Sequence, residues 1–501
     1  MDEGKGRGVA PAPHQGAEPP APYEGAEPPA PYEGAEPPGP SSGSAFGGRG
    51  PSSAWRGPDG PLPLKAKQVK GSGAAGPSGS RAEPSPTSTL LAAFAARASR
   101  PLAQRQIEAG TEFALGRRDG PYIWNLEGDR RLLDCATTGG VHSLGHRNPE
   151  LLAALRGALD AGYDGGIWTM PNAPLLALHD ALAACAPHPS LDRSVVTLCA
   201  SQANELALLC AFRVTGRRGI VACRHGYHGH GGYAAAATGS ESEGIASHYA
   251  IDRAHVRFVH RHGDLAEIDG LIDSTTAAVI LEPFDYESWQ MPPADYLPAL
   301  AELCRTRGAM LILDGTRSGL VRSGRMWMAE HSGVAPDMLV TGKGLSGGLY
   351  PVGALLMTCD IHQSCINGHE YGYANSLAGN EIAATVALKV LEIAQRADTR
   401  ANVAAIEAQM RLRFGDLVRR HQSVFTSSTM LGGIATIGLV QPAHAARFSK
   451  LMFDHGVLMH SVSTTPPHVA KFLPVLTAAP SIIDELAAAL DAAGHTLSDP
   501  G

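Results

Sequence analysis

Two short apolar runs, residues 277–281 and 309–313, flank a segment, Tyr296–Arg307, in which apolar residues recur at helical spacing. Five consecutive apolar residues without alternation suit a strand buried on both faces, as in a parallel sheet covered by helices. Further strand-like runs at 194–198 and Gly219–Cys223, and a second helical pattern at Glu381–Gln395, extend the alternation. Strand, helix, strand order predicts an α/β domain around a mostly parallel sheet. In such sheets ligands gather at the carboxyl ends of the strands. The polar residues that close the two runs, Glu282-Pro283 and Asp314, are therefore the first to inspect.

With 501 residues the chain is long enough for two or three domains. Residues 1–86 stand apart: Gly, Pro, Ser and Ala dominate, and a nonapeptide beginning at Gly16 is repeated from Gly25 and begun again at Gly34. Such a tail is expected to be disordered, as a solubilising extension or a ligand for a peptide-docking groove, because it has too few large apolar groups to offset the entropy of ordering. From about Thr87 to Ser498 the composition is that of a globular protein. A formal net charge of −7 gives no electrostatic case for nucleic acid or an anionic membrane, and a small-molecule ligand is expected. Eight scattered cysteines without a close CxxC pair suggest neither a zinc knuckle nor a disulfide framework, and no metal site is expected. A reducing cytoplasm fits this usage, and no apolar run approaches the roughly 18 residues of a membrane span.

Lysine is scarce: beyond Lys70 the chain has only Lys343, Lys389, Lys450 and Lys471. Lys389 lies in a helical pattern and Lys450 beside one, as solvated lysines do. Lys343 instead follows an apolar strand and precedes glycines, in L-V-T-G-K-G-L-S-G-G at 339–348, where backbone would pass close to a bound molecule. A pyridoxal phosphate site needs such a lysine for a Schiff base, a carboxylate for the pyridinium nitrogen, donors for the phosphate and a flat group against the ring. Asp314 is a candidate carboxylate, although an Asp before Gly315 also suits a turn. The segment from Cys199 to Glu205 opens a helix whose free N–H groups, with the Ser201 hydroxyl, could seat a phosphate, although Ser and Asn at helix starts are commonly caps. Tyr227-His228-Gly229 follows a strand, and Tyr227 could lie over the ring or simply pack in the core.

Taken in order, these segments resemble the class III aminotransferases, a group that includes ornithine, acetylornithine and 4-aminobutyrate aminotransferases and glutamate-1-semialdehyde aminomutase. The likeness covers about Gln104 to Leu497. It runs from G-P-Y-I-W-N-L-E-G at Gly120 through L-G-H-R-N-P at Leu144 to the S-G-T-E-A-N-like stretch at Cys199. It continues with Tyr227-His228-Gly229, Glu282-Pro283, the D-E-V-Q-T-G-like D-G-T-R-S-G at Asp314 and the lysine segment. The resemblance implies the fold-type I architecture, with a large domain at 162–396 and a smaller α+β domain from both chain ends, 102–161 and 397–498. It implies pyridoxal 5'-phosphate held by Lys343, with Asp314 on the pyridinium, Thr316 behind the ring, Ala200 and Ser201 at the phosphate, Tyr227 in front, and His228 and Arg317 nearby. Ser376, in a segment like the family's T-F-x-G-N, implies a homodimer in which its hydroxyl reaches the neighbouring subunit's cofactor.

The departures fall on the substrate side. Gly315-Thr316 stands where the family usually has E-V, Arg317 where many members carry glutamine, and Lys471 where a related segment often has arginine. Lysine recognises a carboxylate as a point charge and arginine through a planar fork, so a substrate other than an ordinary α-amino acid is compatible with this chain. The leading expectation is transfer of an amino group from a small-molecule donor to an aldehyde or ketone acceptor. An aminomutase, racemase or decarboxylase on the same scaffold, and a non-catalytic relative, are the alternatives.

Overall fold

The structure, a computed structural model of the full chain, describes residues 84–239, 246, 248–285, 287–369, 372, 375–377, 380–463 and 468–498. The repeat tail lies outside them. The described chain starts with a helix, Pro86–Arg97, whose N-terminus is capped by the Ser85 hydroxyl accepting from the Ser88 amide at 3.1 Å. Thr87 fastens this helix to the body by donating from its amide (2.6 Å) and hydroxyl (2.5 Å) to the Glu127 carboxylate.

Strands β1 (Leu115–Asp119), β2 (Tyr122–Asn125) and β3 (Arg131–Cys135) form an antiparallel meander. The central sheet has seven strands: β4 (Arg193–Thr197), β5 (Gly219–Cys223), β6 (Val256–Val259), β7 (Thr276–Leu281), β8 (Met310–Asp314), β9 (Met338–Thr341) and β10 (Gly353–Met357). Their spatial order is β4-β10-β9-β8-β7-β5-β6. Only β10 runs against the others, pairing antiparallel with both β4 and β9. The two apolar runs are β7 and β8, buried along both faces as an interior parallel strand must be. The helices anticipated at Tyr296–Arg307 and Glu381–Gln395 keep both ends. Lys450 lies within a helix, His444–Asp454, and ion-pairs with Asp454 one turn on; Lys389 pairs likewise with Glu392.

This topology fixes the location of the site. The carboxyl ends of β4, β5, β7, β8 and β9 point to one edge of the sheet, and reversed β10 brings its first residue, Gly353, opposite Thr197 at the same edge. The segments that leave those ends carry Cys199 to Asn204, Tyr227 and His228, Glu282, Asp314 and Lys343.

Strands β11 (Phe425–Leu431), β12 (Ile434–Leu439), β13 (Val457–Met459), β14 (Ser461–Val462) and β15 (Val469–Phe472) lie C-terminally; β13 extends the N-terminal meander by pairing parallel with β3, and the rest form a third sheet. A core separate from that of the central sheet joins Leu133 and Cys135 to the helices Ala397–Arg420 and Ile482–Ser498, so the two ends of the described chain share one interior. Arg322, fully buried, ties this part to the loop after β8: its Nη1 donates to the carbonyls of Gly433 (3.0 Å) and Pro474 (2.5 Å), and its Nη2 to the Ser143 hydroxyl (2.9 Å).

Candidate active site

A cavity of about 270 Å³ opens at the ligand-binding edge of the central sheet, lined by Ala200, Ser201, Asn204, Tyr227, His228, Glu282, Asp314, Thr316, Arg317 and Lys343, with Val141, Leu198, Pro351 and Val352 among its apolar walls. Eight of the nine residues that the family resemblance assigns to the cofactor are in this lining. The ninth, Ser376, is exposed and outside it.

The deep wall is tightly tied. Asp314, the last residue of β8, is buried, and each carboxylate oxygen has partners: Oδ2 accepts from Asn204 Nδ2 (2.7 Å) and bonds His228 Nδ1 (3.0 Å), while Oδ1 accepts from the Thr316 amide (3.1 Å). Burial by itself would raise this carboxyl, but the hydrogen bond and charge of His228, together with Thr316 and Asn204, outweigh it and hold Asp314 below the usual carboxylate range. Asn204 is held in turn by a second bond to the His228 carbonyl (2.9 Å), and His228 and Gly229 donate their amides to the Thr238 hydroxyl. The sequence marked Asp314 and His228, but their link through Asn204 crosses 110 residues of chain and has no local signal.

Lys343 follows β9 through Gly342 and starts a one-turn 3₁₀ helix with φ at +43°, a left-handed conformation that costs a non-glycine residue roughly 1–3 kcal/mol. Its surroundings keep that geometry. A Cβ on Gly342 would lie 2.8 Å from the Ala200 Cβ, so only glycine lets the strand end lie against the start of the Ala200–Thr215 helix. From the other side the run Thr137–Gly140 presses on the lysine with positive φ at all four residues, and a Cβ on Gly139 would stand 3.2 Å from Lys343 Nζ. Desolvation first, and then the Arg317 charge, pull the ammonium down against Glu282 and Asp314, to about 7. A neutral amine is thereby available near neutral pH.

The helix Ala200–Thr215 points its N-terminus at the cavity, and its N-cap, Cys199, makes no side-chain capping bond. Its leading N–H groups, the positive dipole end and the Ser201 hydroxyl form a seat for an anion. Buried polar atoms also remain without a hydrogen-bond partner among the described residues: His228 Nε2, Asn204 Oδ1 and Thr316 Oγ1. A planar, anionic ligand with a protonated ring nitrogen fits this set: carboxylate at one end, uncapped helix at the other, neutral lysine between.

The chain matches the family Aminotransferase class-III over residues 105–493. It belongs to the class III aminotransferases. An uncharacterized aminotransferase of Archaeoglobus fulgidus is 35% identical over 295 residues, covering 59% of this chain and 68% of that one. The acetylornithine aminotransferase of Streptococcus mutans is 27% identical over 392 residues, covering 77% and 96%. The chain resembles the crystal structure of the ornithine aminotransferase of Toxoplasma gondii in fold, with a TM-score of 0.71 at 18% identity over 83% of this chain and 99% of that one. This class III aminotransferase thus has the fold-type I architecture, is an enzyme that transfers amino groups, and uses pyridoxal 5'-phosphate.

The groups packed around Arg317, most of them outside the cavity lining, are where this aminotransferase departs from its family. Gly315 is closely packed: a Cβ there would sit 3.2 Å from both Leu339 Cδ1 and the Val340 carbonyl, beside the fully buried Trp327 ring. A side chain there would have to press these neighbours aside by a few tenths of an ångström. Arg317 is buried with its Nε 3.9 Å from Glu282 Oε1, and Lys471, also buried, places Nζ 3.9 Å from Glu287 Oε2. Desolvation foremost lowers Lys471 to about 8, with Glu287 opposing and Arg317 assisting. Trp289 packs beside both cations, its ring centre 5.9 Å from Arg317 Cζ and 5.6 Å from Lys471 Nζ, and His460 packs against the same indole at 5.1 Å. Trp289 is buried at φ +55° and its Nε1 has no partner among the described residues. Neither Trp289 nor His460 was marked in the sequence, since both sit in irregular segments without periodicity.

Proposed function

We propose that this aminotransferase works at the Lys343–Asp314 cavity, taking an amino donor that bears a carboxylate and passing its amino group to an aldehyde or ketone acceptor. The observation that carries the reading is Lys343 facing Asp314 in one desolvated cavity with its amine brought down to about 7. When bound, pyridoxal phosphate supplies an electron sink and an exchangeable carbonyl. Lys343 Nζ holds it covalently between substrates and, once displaced by the donor, moves the proton at the donor's amino-bearing carbon. Asp314 accepts the ring N–H, a charge-assisted bond worth roughly 1.5–3 kcal/mol, and His228 and Asn204 fix its orientation. Ala200 and Ser201 would hold the phosphate, and Tyr227, Thr316 and Arg317, in the same lining, would hold the ring. The buried cations Arg317 and Lys471, each near a carboxylate, support a substrate with one acidic group, and the likeness to the acetylornithine aminotransferase supports an amino acid of the ornithine class.

The absorption spectrum of the purified enzyme tests this, before and after adding glutamate, alanine, ornithine and 4-aminobutyrate. A yellow band that one donor bleaches to the pyridoxamine form establishes the half-reaction and identifies that donor. A band that persists with every donor turns the reading to the one-substrate chemistries, of which an aminomutase comes first because Arg317 replaces the family's glutamine.

We also read 102–161 with 397–498 as the smaller domain and 162–396 as the larger, supported by the second core drawn from both chain ends. A homodimer in which Ser376 serves the partner's site is supported by its exposure on one chain and by its exposed neighbour Leu377. Eight free thiols support a reducing, cytoplasmic setting, and no helix among the described residues is long and apolar enough to cross a membrane.

A further inference from the structure

Away from the cavity, three side chains converge where the helix Ala397–Arg420 ends against the C-terminal helix Ile482–Ser498. His421, the first residue past the former, is buried and brings Nε2 within 2.6 Å of Asp491 Oδ1. His495, one turn beyond Asp491, brings its own Nε2 to 3.9 Å from the same oxygen. One donor atom from each residue lies within 4.8 Å of the other two. The helix is notched to admit the imidazole: a Cβ on Gly494 would stand 2.8 Å from His421 Cγ. Because His421 and Asp491 are 70 residues apart, no compact ligand motif marks the set in the sequence.

A hydrogen bond from His421 to Asp491 accounts for that pair alone. It leaves unused the second imidazole, which stands at 90° to the first with ring centres 4.7 Å apart and reaches solvent on its far side. Two imidazoles and a carboxylate are the donors that borderline divalent ions prefer, and the solvent side leaves a position for water. Metal–ligand bonds of about 2.0–2.1 Å in a tetrahedron set the donors roughly 3.3 Å apart. The short separation must open and the longer ones close, movements that the exposed His495 side chain and rotation of the Asp491 carboxylate allow. Arg420 also contacts Asp491, and its charge opposes a cation there, but its Nε is already 2.8 Å from Asp416 Oδ2, which retains the guanidinium when Asp491 turns to the metal.

We propose that His421, Asp491 and His495 bind one divalent transition-metal ion with zinc-like ligand preference, clasping the C-terminal helix to the end of the helix before β11. Because the ligands come from two elements that separate on unfolding, the ion binds the folded chain preferentially and stabilises it.

The test titrates Zn²⁺ into the holoenzyme against a chromogenic chelator, for wild type, His495→Ala and Asp491→Asn. His495 is exposed and none of the three residues lines the cofactor cavity, so His495→Ala is expected to stay folded with unchanged transamination. The proposal requires wild type to take up one more tightly held Zn²⁺ per chain than His495→Ala, with at least a hundredfold weaker binding at that site in the variant. Asp491→Asn must weaken it also. The melting temperature of wild type, and not of His495→Ala, must rise with added Zn²⁺. Equal stoichiometry and affinity in wild type and His495→Ala, or the same zinc-dependent melting shift in both, overturns it.

Discussion

The deep wall of the cavity and the wall of groups packed around Arg317, which extends beyond the lining, are built on different principles. On the deep wall the polar groups are fixed by short bonds: both oxygens of Asp314 are engaged at 2.7–3.1 Å, and Asn204 is itself held by a second bond. Around Arg317 two buried cations, Arg317 and Lys471, share one buried indole in a left-handed conformation, with Glu282 and Glu287 as nearby counter-charges. A wall of short bonds suits one unchanging ligand, and a wall that carries two buried cations offers the charge that a substrate carboxylate needs. The first is therefore expected to govern cofactor and turnover, and the second Michaelis constants.

Lys343→Ala attacks the deep wall most directly. It is expected to abolish covalent cofactor and lower turnover by about 10⁴-fold or more, read by borohydride trapping and steady-state rates. Full activity in this variant would dismantle the assignment. Asp314→Asn is next: losing a charge-assisted bond of roughly 1.5–3 kcal/mol should cost about 10- to 100-fold in kcat and in cofactor retention after dialysis. A change confined to KM would put Asp314 on the wrong wall.

The amine of Lys343 gives a graded test. The neutral form attacks the cofactor, so in cofactor-free protein the capture rate should rise about tenfold per pH unit below 7 and level off above it. A rise continuing towards about pH 10, the range of an ordinary lysine, would mean the site is not desolvated in solution. Lys471→Met should raise KM for a carboxylate-bearing donor several-fold to about tenfold and leave kcat nearly constant, with no effect on a donor lacking the acid. Equal effects on both donors would contradict the division between the walls. The smallest effect is expected from removing residues 1–83, among which no residue is assigned to either wall: kcat and KM should stay within about twofold. The cut must stop there, because Ser85 caps the first helix.

What could be read from the sequence follows the same division. Interior strands must be apolar on both faces, so β7 and β8 were visible as continuous runs, and the residues at their carboxyl ends fell where an α/β sheet places ligands. Lys343 stood out by the scarcity of lysine and by its glycines. The reversed direction of β10 was not visible, since an apolar run carries no sign of strand direction. Nor was the substrate wall: Trp289 and His460 owe their positions to long-range packing, and the close approach of Leu339 and Val340 to Gly315 has no local signal. The His421–Asp491–His495 cluster was hidden for the same reason, its partners meeting only when distant helices pack.

Arg322 has a consequence for how the molecule comes apart. Its guanidinium reaches from the loop after β8 to Gly433, Pro474 and Ser143, joining the interior of the central sheet to the one made by the chain ends. Were either interior to melt alone, this charge would be stranded in apolar surroundings without its carbonyls, a situation that typically costs about 3–5 kcal/mol. Thermal denaturation of this part of the chain is therefore expected to be a single calorimetric transition, with Arg322→Met the substitution that would split it in two.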